Sequence, residues 1–189
     1  QYKDGLFVNE TPTTMDMNFS TFMSVMKDYI VGVPHNTPKH PLPVLSIDSL
    51  EIVNRPDSIT RLTWFGHSAF LLEIQGMNLL IDPMFGATPS PHPWLGRNRF
   101  TDGLPIEIKK LPKIDAVIFS HDHYDHLDYE SILQLKDKVG QFYTPLGVGA
   151  HLAAWGVPVE NIHELNWWEE IQYEDLNFKC VPARHFSGR

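Results

Sequence analysis

The chain has 189 residues, 42% of them hydrophobic, and 15 Lys and Arg against 23 Asp and Glu give a formal net charge of −8 at pH 7. This composition excludes a disordered, collagen-like or fibrous protein, and the length suits one domain or one large piece of a bigger one. The excess of acidic residues argues against a nucleic-acid partner. No apolar run approaches the ~18 residues of a membrane span. Cys180 is the single cysteine, so an internal disulfide is excluded.

Residues 1–59 are predicted to form a helix followed by a proline-rich arm. Apolar residues recur at helical spacing over 18–30, with Asn18 or Ser20 as the N-cap. We expect this apolar stripe to pack on the domain, because the helix lacks the polar face rich in Lys and Arg that favours a membrane surface. Residues 31–58 contain five prolines and are predicted to be extended.

The folded body is predicted from residue 60 to residue 189, and it begins with a meander of three strands. Apolar residues alternate with polar ones over 62–64 and 70–74, and a short apolar run at 79–81 follows turn residues. Residues 83–112 contain six prolines. A loop of that length inside a compact domain is usually functional or disordered.

The rest of the body is predicted to contain strand–helix units. The apolar run at 115–119 indicates a buried strand, and Asp128 is a candidate cap for a helix that ends near residue 135. A second helix is predicted over 147–155, and short strands return over 162–184. Strands followed by strand–helix units indicate a mixed α/β (α+β) class, with helices covering the sheet faces.

Four potential metal ligands occur within six residues, directly after the strand at 115–119. They are His121, His123, Asp125 and His126. Imidazole suits zinc, iron and similar ions, and Asp adds a harder oxygen ligand. Four such ligands do not easily surround one tetrahedral ion, so the spacing favours two neighbouring ions. Two ions can lower the pKa of a bound water and share the hydroxide that it forms.

His185 is the next candidate ligand, because it follows an apolar stretch at 178–182 that is predicted to be a strand. Taken alone, a single histidine is more often an ordinary core or surface residue. The cluster after the strand at 115–119, however, still needs one more ligand. We therefore expect His185 to complete a set of three histidines with His121 and His123.

Two further strand ends carry side chains that we expect at the same site. Asp82 ends the strand at 79–81, where an unpaired carboxylate would be costly. We expect it to accept hydrogen bonds and orient the histidine loop. His67 and Ser68 break a strand after Gly66, and one of them is predicted at the rim of the site, in contact with substrate.

Arginine is scarce, and most of the arginines lie in segments that border these candidates. Arg97 and Arg99 lie in the long proline-rich loop, while Arg184 and Arg189 flank His185. Phosphate groups favour pairing with arginine, so Arg97, Arg99 and Arg184 are candidate contacts for a phosphate-bearing substrate. Ordinary surface charge is an equally good explanation of this pattern.

The run from His121 to His126 after an apolar strand resembles the metallo-β-lactamase superfamily, and Trp64-Phe-Gly-His-Ser-Ala-Phe-Leu-Leu-Glu73 and Leu80-Ile-Asp-Pro83 are similar to its first meander. More narrowly, several stretches resemble the N-acylphosphatidylethanolamine-hydrolysing phospholipase D family and its bacterial relatives. These stretches are Ser120-His-Asp-His-Tyr-Asp-His-Leu-Asp128, Pro145-Leu-Gly-Val-Gly149, Glu164-Leu-Asn-Trp-Trp-Glu169 and Pro182-Ala-Arg-His-Phe-Ser-Gly-Arg189. The resemblance covers about residues 60–189.

This resemblance implies an αβ/βα sandwich with a dinuclear zinc site between its sheets, of which this chain supplies the first half or more. His121, His123 and His185 would hold the first zinc ion, and Asp125 and His126 would hold the second as catalytic residues. A metal-bridging hydroxide would attack the phosphorus of N-acylphosphatidylethanolamine or a related phosphodiester. A phospholipid substrate in turn implies peripheral contact with a membrane.

The family also supplies a bridging Asp and a last His from a second half, and neither has a match in this sequence. We therefore expect the chain to be the N-terminal part of a longer enzyme, truncated at its C-terminus, with a companion C-terminal fragment of the same parent chain as partner. Two alternatives stay open. One is another hydrolase of the superfamily, acting on a thioester, lactone or amide, and the other is a catalytically incomplete metal-binding fragment.

Overall fold

The computed structural model of the chain describes residues 2–12, 18–92, 96 and 98–187. Among these residues, no helix combines the length and the hydropathy needed to cross a bilayer. Arg97 and Arg189, two of the arginines expected near the site, lie outside the described residues.

The first element is a small hairpin near the N-terminus. Strands β1 (Tyr2–Lys3) and β2 (Leu6–Phe7) pair in antiparallel fashion. Asp4 and Gly5 form the turn at φ angles of 52° and 82°, a conformation that Asp tolerates and Gly adopts freely. The polar composition of residues 1–17 does not predict this hairpin.

Helix α1 (Phe19–Val31) is capped at both ends by its own polar groups. The Asn18 side chain accepts a hydrogen bond from the Thr21 N–H at 2.9 Å. At the other end Gly32 has a φ of 80°, and its N–H donates to the carbonyl of Asp28 at 2.9 Å. The helix predicted over 18–30 is therefore present, with Asn18 as its cap.

The apolar stripe of α1 does not pack on the domain, so that expectation is wrong. No described side chain of the helix is buried, and Phe19 and Ile30 are 78% and 76% exposed. The physical reason lies in the core of the body, which is filled by side chains between Ile47 and Ile162. The described residues thus leave α1 with its apolar side in solvent.

The arm after α1 contains one short helix that the proline pattern does not predict. Helix α2 (Ser49–Val53) starts with a capping box, in which Asp48 accepts from the N–H of Leu50 and the Glu51 side chain accepts from the N–H of Asp48. Ile52 of this helix is buried in the core. The spacing of Asp48 and Glu51 is the signal that could have identified this helix.

Six strands form the central sheet, in the order in which they occur along the chain. They are β3 (Arg61–Gly66), β4 (Ala69–Ile74), β5 (Met77–Ile81), β6 (Ile114–Ile118), β7 (Val139–Pro145) and β8 (Ile162–Leu165). The first three are antiparallel, which confirms the predicted meander, and the last three add in parallel.

The two faces of the sheet are covered differently. Helices α3 (Tyr129–Leu135) and α4 (Gly149–Ala154) pack on one face, where the core is continuous. A hairpin of β9 (Glu170–Tyr173) and β10 (Leu176–Lys179) covers part of the other face. The predicted mixed α/β class is confirmed. The last strand ends at Lys179, earlier than the stretch at 178–182 suggested.

A buried ion-pair network ties the arm to the meander. Glu73 of β4 is fully buried, and its carboxylate oxygens lie 3.1 Å from Arg55 Nε and 2.5 Å from Arg61 Nε. Arg61 also donates to the backbone carbonyl of Glu51 at 2.9 Å. The hydrogen bond to Glu73 raises the pKa of Arg61 against the opposing effect of burial. The carboxylate therefore joins three segments of the chain.

Replacing Glu73 with alanine is expected to destabilise the fold by about 3–5 kcal/mol, because the guanidinium of Arg55 would stay buried without its partner. Urea unfolding followed by circular dichroism measures this change. The matched control is Glu170→Ala, which removes an exposed pair with Lys179 and is expected to have far less effect. Equal midpoints for the two variants would contradict this account of the network.

Candidate metal centre

The histidine loop connects β6 to α3 and is held in a tight turn. The N–H groups of His126 and Leu127 both donate to the carbonyl of His123, at 3.0 and 2.8 Å. Leu127 is fully buried in the core, and Asp128 caps α3 by accepting from the Ser131 N–H at 3.0 Å. The loop is therefore fixed at one end by an apolar anchor and at the other by the strand.

Three histidines form the first of two ligand clusters. His121, His123 and His185 each offer a ring nitrogen within 4.8 Å of the others. The His185 ring centroid lies 4.4 Å from that of His121 and 4.5 Å from that of His123. This is the set that the sequence predicts for a first ion, and its role as ligand stays a prediction.

His123 provides a test of whether a metal ion fits this cluster. Its Nε2 atom is buried and has no hydrogen-bond partner among the described residues. A buried polar atom without a partner is rare and costly. A cation held by the cluster would satisfy it, so the residues present fit a metal ion.

The second cluster contains His67 together with Asp125 and His126. His67 Nε2 lies 2.7 Å from the Asp125 carboxylate, and His126 Nε2 lies 3.7 Å from the same oxygen. Sequence reasoning left the second ion with two protein ligands and put His67 at the rim as a substrate contact. The structure brings His67 to the cluster as a third candidate ligand.

The turn between β3 and β4 directs His67 toward the histidine loop. His67 has a φ of 46°, and its carbonyl accepts a hydrogen bond from the Trp64 indole at 2.9 Å. Ser68, the alternative rim residue, reaches the carbonyl of Asp125 at 3.4 Å. A histidine in so short a break between two strands was the available signal for a ligand at this position.

The two clusters adjoin each other. The ring centroids of His121 and His126, one from each cluster, are 4.0 Å apart. The His67 and His126 rings are 5.4 Å apart. Six side chains from three separate segments of the chain thus converge on one small region, as a site for two ions requires.

Asp82 connects the clusters to the end of β5. It is buried and has a φ of 43°. Its two oxygens accept hydrogen bonds from the Ser120 N–H and the Ser120 hydroxyl, both at 2.7 Å. His126 Nδ1 lies 2.8 Å from the same carboxylate, which leaves Nε2 of His126 to face Asp125. These are the contacts that the predicted orienting role requires.

In the first cluster, the surroundings of His121 favour the neutral imidazole, which is the form that binds a metal ion. Burial, together with the neighbouring imidazoles of His126, His185 and His123, lowers the pKa of His121 to about 4. His121 is therefore neutral at pH 7 and has a free lone pair.

In the second cluster, hydrogen bonds and neighbouring charges outweigh the effect of burial on the pKa values. Burial acts to raise the pKa of Asp125, but its own backbone N–H and the imidazoles of His126 and His67 lower the pKa overall. Burial likewise acts to lower the pKa of His126, but the hydrogen bond to Asp82 and the charges of Asp82 and Asp125 together outweigh it, so that this pKa is raised. Asp125 is therefore an anion at neutral pH.

The predicted arginine contacts differ in their surroundings. Arg99 is half-buried and donates to the carbonyl of Gly86 at 2.8 Å. Burial lowers its pKa, and the charge of Asp128 opposes this shift. Arg184 is exposed beside His185. Arg99 thus holds its own loop, and both arginines stay predicted contacts for a substrate phosphate.

Replacing His123 with alanine is expected to abolish binding of an added zinc ion by the first cluster, since the variant lacks one of its three imidazoles. Elemental analysis of the dialysed protein measures the zinc content. The control is His40→Ala, an exposed histidine in neither described cluster. Unchanged zinc content in His123→Ala would refute the ligand assignment.

Comparison with known proteins identifies the family. Residues 77–189, more than half of the chain, match the model of the β-lactamase superfamily domain. An uncharacterized protein of Mycobacterium tuberculosis is 40% identical over 190 residues, which are 100% of this chain and 50% of that protein. The mitochondrial N-acyl-phosphatidylethanolamine-hydrolyzing phospholipase D of Saccharomyces cerevisiae is 35% identical over 132 residues, 67% of this chain and 27% of that enzyme.

A solved structure is also similar. The crystal structure of CmlA, a diiron β-hydroxylase from Streptomyces venezuelae, matches with a TM-score of 0.50 and 25% identity, over 68% of this chain and 24% of that one. The chain spans about half the length of the curated relatives that it matches over its whole extent. The predicted αβ/βα sandwich agrees with this neighbour and with the family model. The chain belongs to the metallo-β-lactamase superfamily.

Proposed function

We propose that the chain provides the metal-binding part of a zinc-dependent phosphodiesterase of phospholipase D type. Its substrate is N-acylphosphatidylethanolamine or a related phosphodiester. The observation that carries the proposal is the pair of adjoining clusters, each with three ligand atoms within 4.8 Å of one another. Paired ligand sets are typical of sites that cleave phosphoesters. Similarity to the yeast phospholipase D supports a phosphodiester over other scissile bonds.

Zinc is the metal that we propose for both clusters. Together they hold five imidazoles and one carboxylate, a set that favours zinc or iron over magnesium, calcium or manganese. The relative CmlA is described as a diiron enzyme, so elemental analysis must separate the two metals. Bound zinc ions would polarise phosphoryl oxygens and lower the pKa of water. Zinc has no redox chemistry, and hydrolysis requires none.

The chain's own residues keep the reacting groups in place. Asp82 fixes the ring of His126 through Nδ1 at 2.8 Å. His67 Nε2 lies 2.7 Å from the Asp125 carboxylate and so restricts its rotation. Asp125 and His126 are the catalytic residues of the proposal, and Arg184 would pair with the substrate phosphate.

Substrate turnover tests the proposal directly. The zinc-loaded chain should hydrolyse N-acylphosphatidylethanolamine or a simple phosphodiester, and should leave a thioester, a lactone and an amide intact. His67→Ala is expected to lower this activity by at least about 100-fold, because it removes one of three candidate ligands of the second cluster. His40→Ala, an exposed histidine in neither described cluster, serves as the control.

Two other outcomes would overturn the proposal. Cleavage of thioesters, lactones or amides without phosphodiester cleavage would identify another hydrolase of the superfamily. A chain that binds two zinc ions yet cleaves no substrate would be a catalytically incomplete metal-binding fragment.

Helix α1 supports peripheral contact with a lipid surface as part of this proposal. Phe19, Met23, Met26 and Ile30 recur at helical spacing and are all exposed. The polar side of the helix carries Lys27 and Asp28, so the helix is neutral despite the acidic chain. Such a face can insert among lipid headgroups without an electrostatic penalty.

Vesicle binding tests the role of α1. Met23→Asp places a charge on the apolar side and is expected to reduce sedimentation with phosphatidylcholine vesicles by about 10-fold, since charges are costly among acyl chains. Ser24→Asp adds the same charge on the polar side and should leave binding unchanged. Equal effects of the two variants, or no binding by the unmodified chain, would contradict membrane contact through this helix.

A further inference from the structure

The loop that carries His185 belongs to no helix or strand. Residues 181–187 follow β10 without regular structure, and His185 is exposed. Both backbone polar groups of His185 nevertheless bond to one side chain from the start of the chain. Asn9 Nδ2 donates to the His185 carbonyl at 2.8 Å, and the His185 N–H donates to Asn9 Oδ1 at 3.4 Å.

Asn9 is presented to this loop by anchors on both sides of it in sequence. Before it, the ring of Phe7 packs on Gly147, where an added Cβ atom would lie 2.6 Å from Phe7 Cζ. After it, the carboxylate of Glu10 accepts a hydrogen bond from the Trp168 indole at 3.0 Å. The N-terminal segment is thus docked beside the site, with the Asn9 amide aimed at His185.

A second contact restrains the same loop from the histidine side. The Ser187 hydroxyl donates to the carboxylate of Asp122, which lies between His121 and His123. The backbone around His185 is therefore tied to two separate parts of the chain. A loop without secondary structure needs such ties to hold a side chain in one place.

We propose that Asn9 is a positioning residue for the first metal cluster. It holds the backbone of His185 so that the imidazole lies beside His121 and His123 before any ion binds. Preorganisation of this kind reduces the entropy lost when a flexible ligand is ordered by a metal. The inference rests on His185 being a ligand, and it does not depend on which bond the enzyme cleaves.

Zinc affinity of the full chain tests the proposal. In Asn9→Ala, competition with a chromogenic chelator should show one of the two zinc ions bound about 10–100-fold more weakly, with the other unchanged, as is common when a group that orients a ligand is lost. Asn9→Asp keeps the acceptor and loses the donor, so an intermediate loss is expected.

The matched control is Asn36→Ala, which removes an exposed asparagine whose amide oxygen accepts from the Thr37 hydroxyl in the proline-rich arm. It should retain both zinc affinities. In the cobalt-loaded chain, visible absorption should change for one ion in Asn9→Ala and for neither in Asn36→Ala. Circular dichroism of Asn9→Ala should match that of the unmodified chain, which separates positioning from unfolding.

Three results would overturn the inference: unchanged zinc affinities in Asn9→Ala, equal losses in Asn9→Ala and Asn36→Ala, or full zinc content in His185→Ala. Should Asn9→Ala unfold, unchanged zinc affinities in Asn9→Asp would overturn it equally. A chain that shows the expected zinc affinities but hydrolyses no phosphodiester would refute the proposed function and leave the role of Asn9 standing.

Discussion

Asp82 accepts hydrogen bonds from Ser120 and from His126 at the point where β5 ends, and the geometry of the site depends on this buried carboxylate. A carboxylate removed from water without partners is strongly destabilising. Hydrogen bonds from the histidine loop, which folds against Asp82, offset this desolvation of the carboxylate. The same bonds that stabilise the carboxylate thus set the orientation of a candidate ligand, so folding and site assembly are coupled.

The sheet brings the remaining ligands to the same place. β5 and β6 run parallel, so Asp82 and the histidine loop leave the sheet at one edge. The short connection between β3 and β4 places His67 at that edge, and β10 leads back toward it with His185. Rigid strands position the ligands, and loops supply them, as is common in enzymes built on a stable scaffold.

Sequence reasoning was sufficient where the chemistry is local. The histidine loop could be identified because its ligands lie within six residues after an apolar strand, and the meander because its alternation is regular. The exposure of α1 was not foreseen, because burial depends on which other segments fill the core. β7 was also missed, since Gly140 and Gln141 interrupt its apolar run.

The roles of His67 and Asn9 could not be inferred from the sequence for a different reason. His67 meets Asp125 across 58 residues, and Asn9 meets His185 across 176. Only tertiary structure brings such pairs together. His67 carried a weak signal, a histidine in a break between two strands, but an asparagine in a polar N-terminal segment carries none.

Anomalous diffraction at the zinc absorption edge, from crystals of the zinc-loaded chain, tests the central claim most directly. The account predicts two neighbouring scatterers, one within ~2.0–2.1 Å of nitrogens from His121, His123 and His185 and the other at similar distances from His67, Asp125 and His126. An anomalous map that shows no scatterer beside these six side chains, from crystals grown with excess zinc, would contradict it.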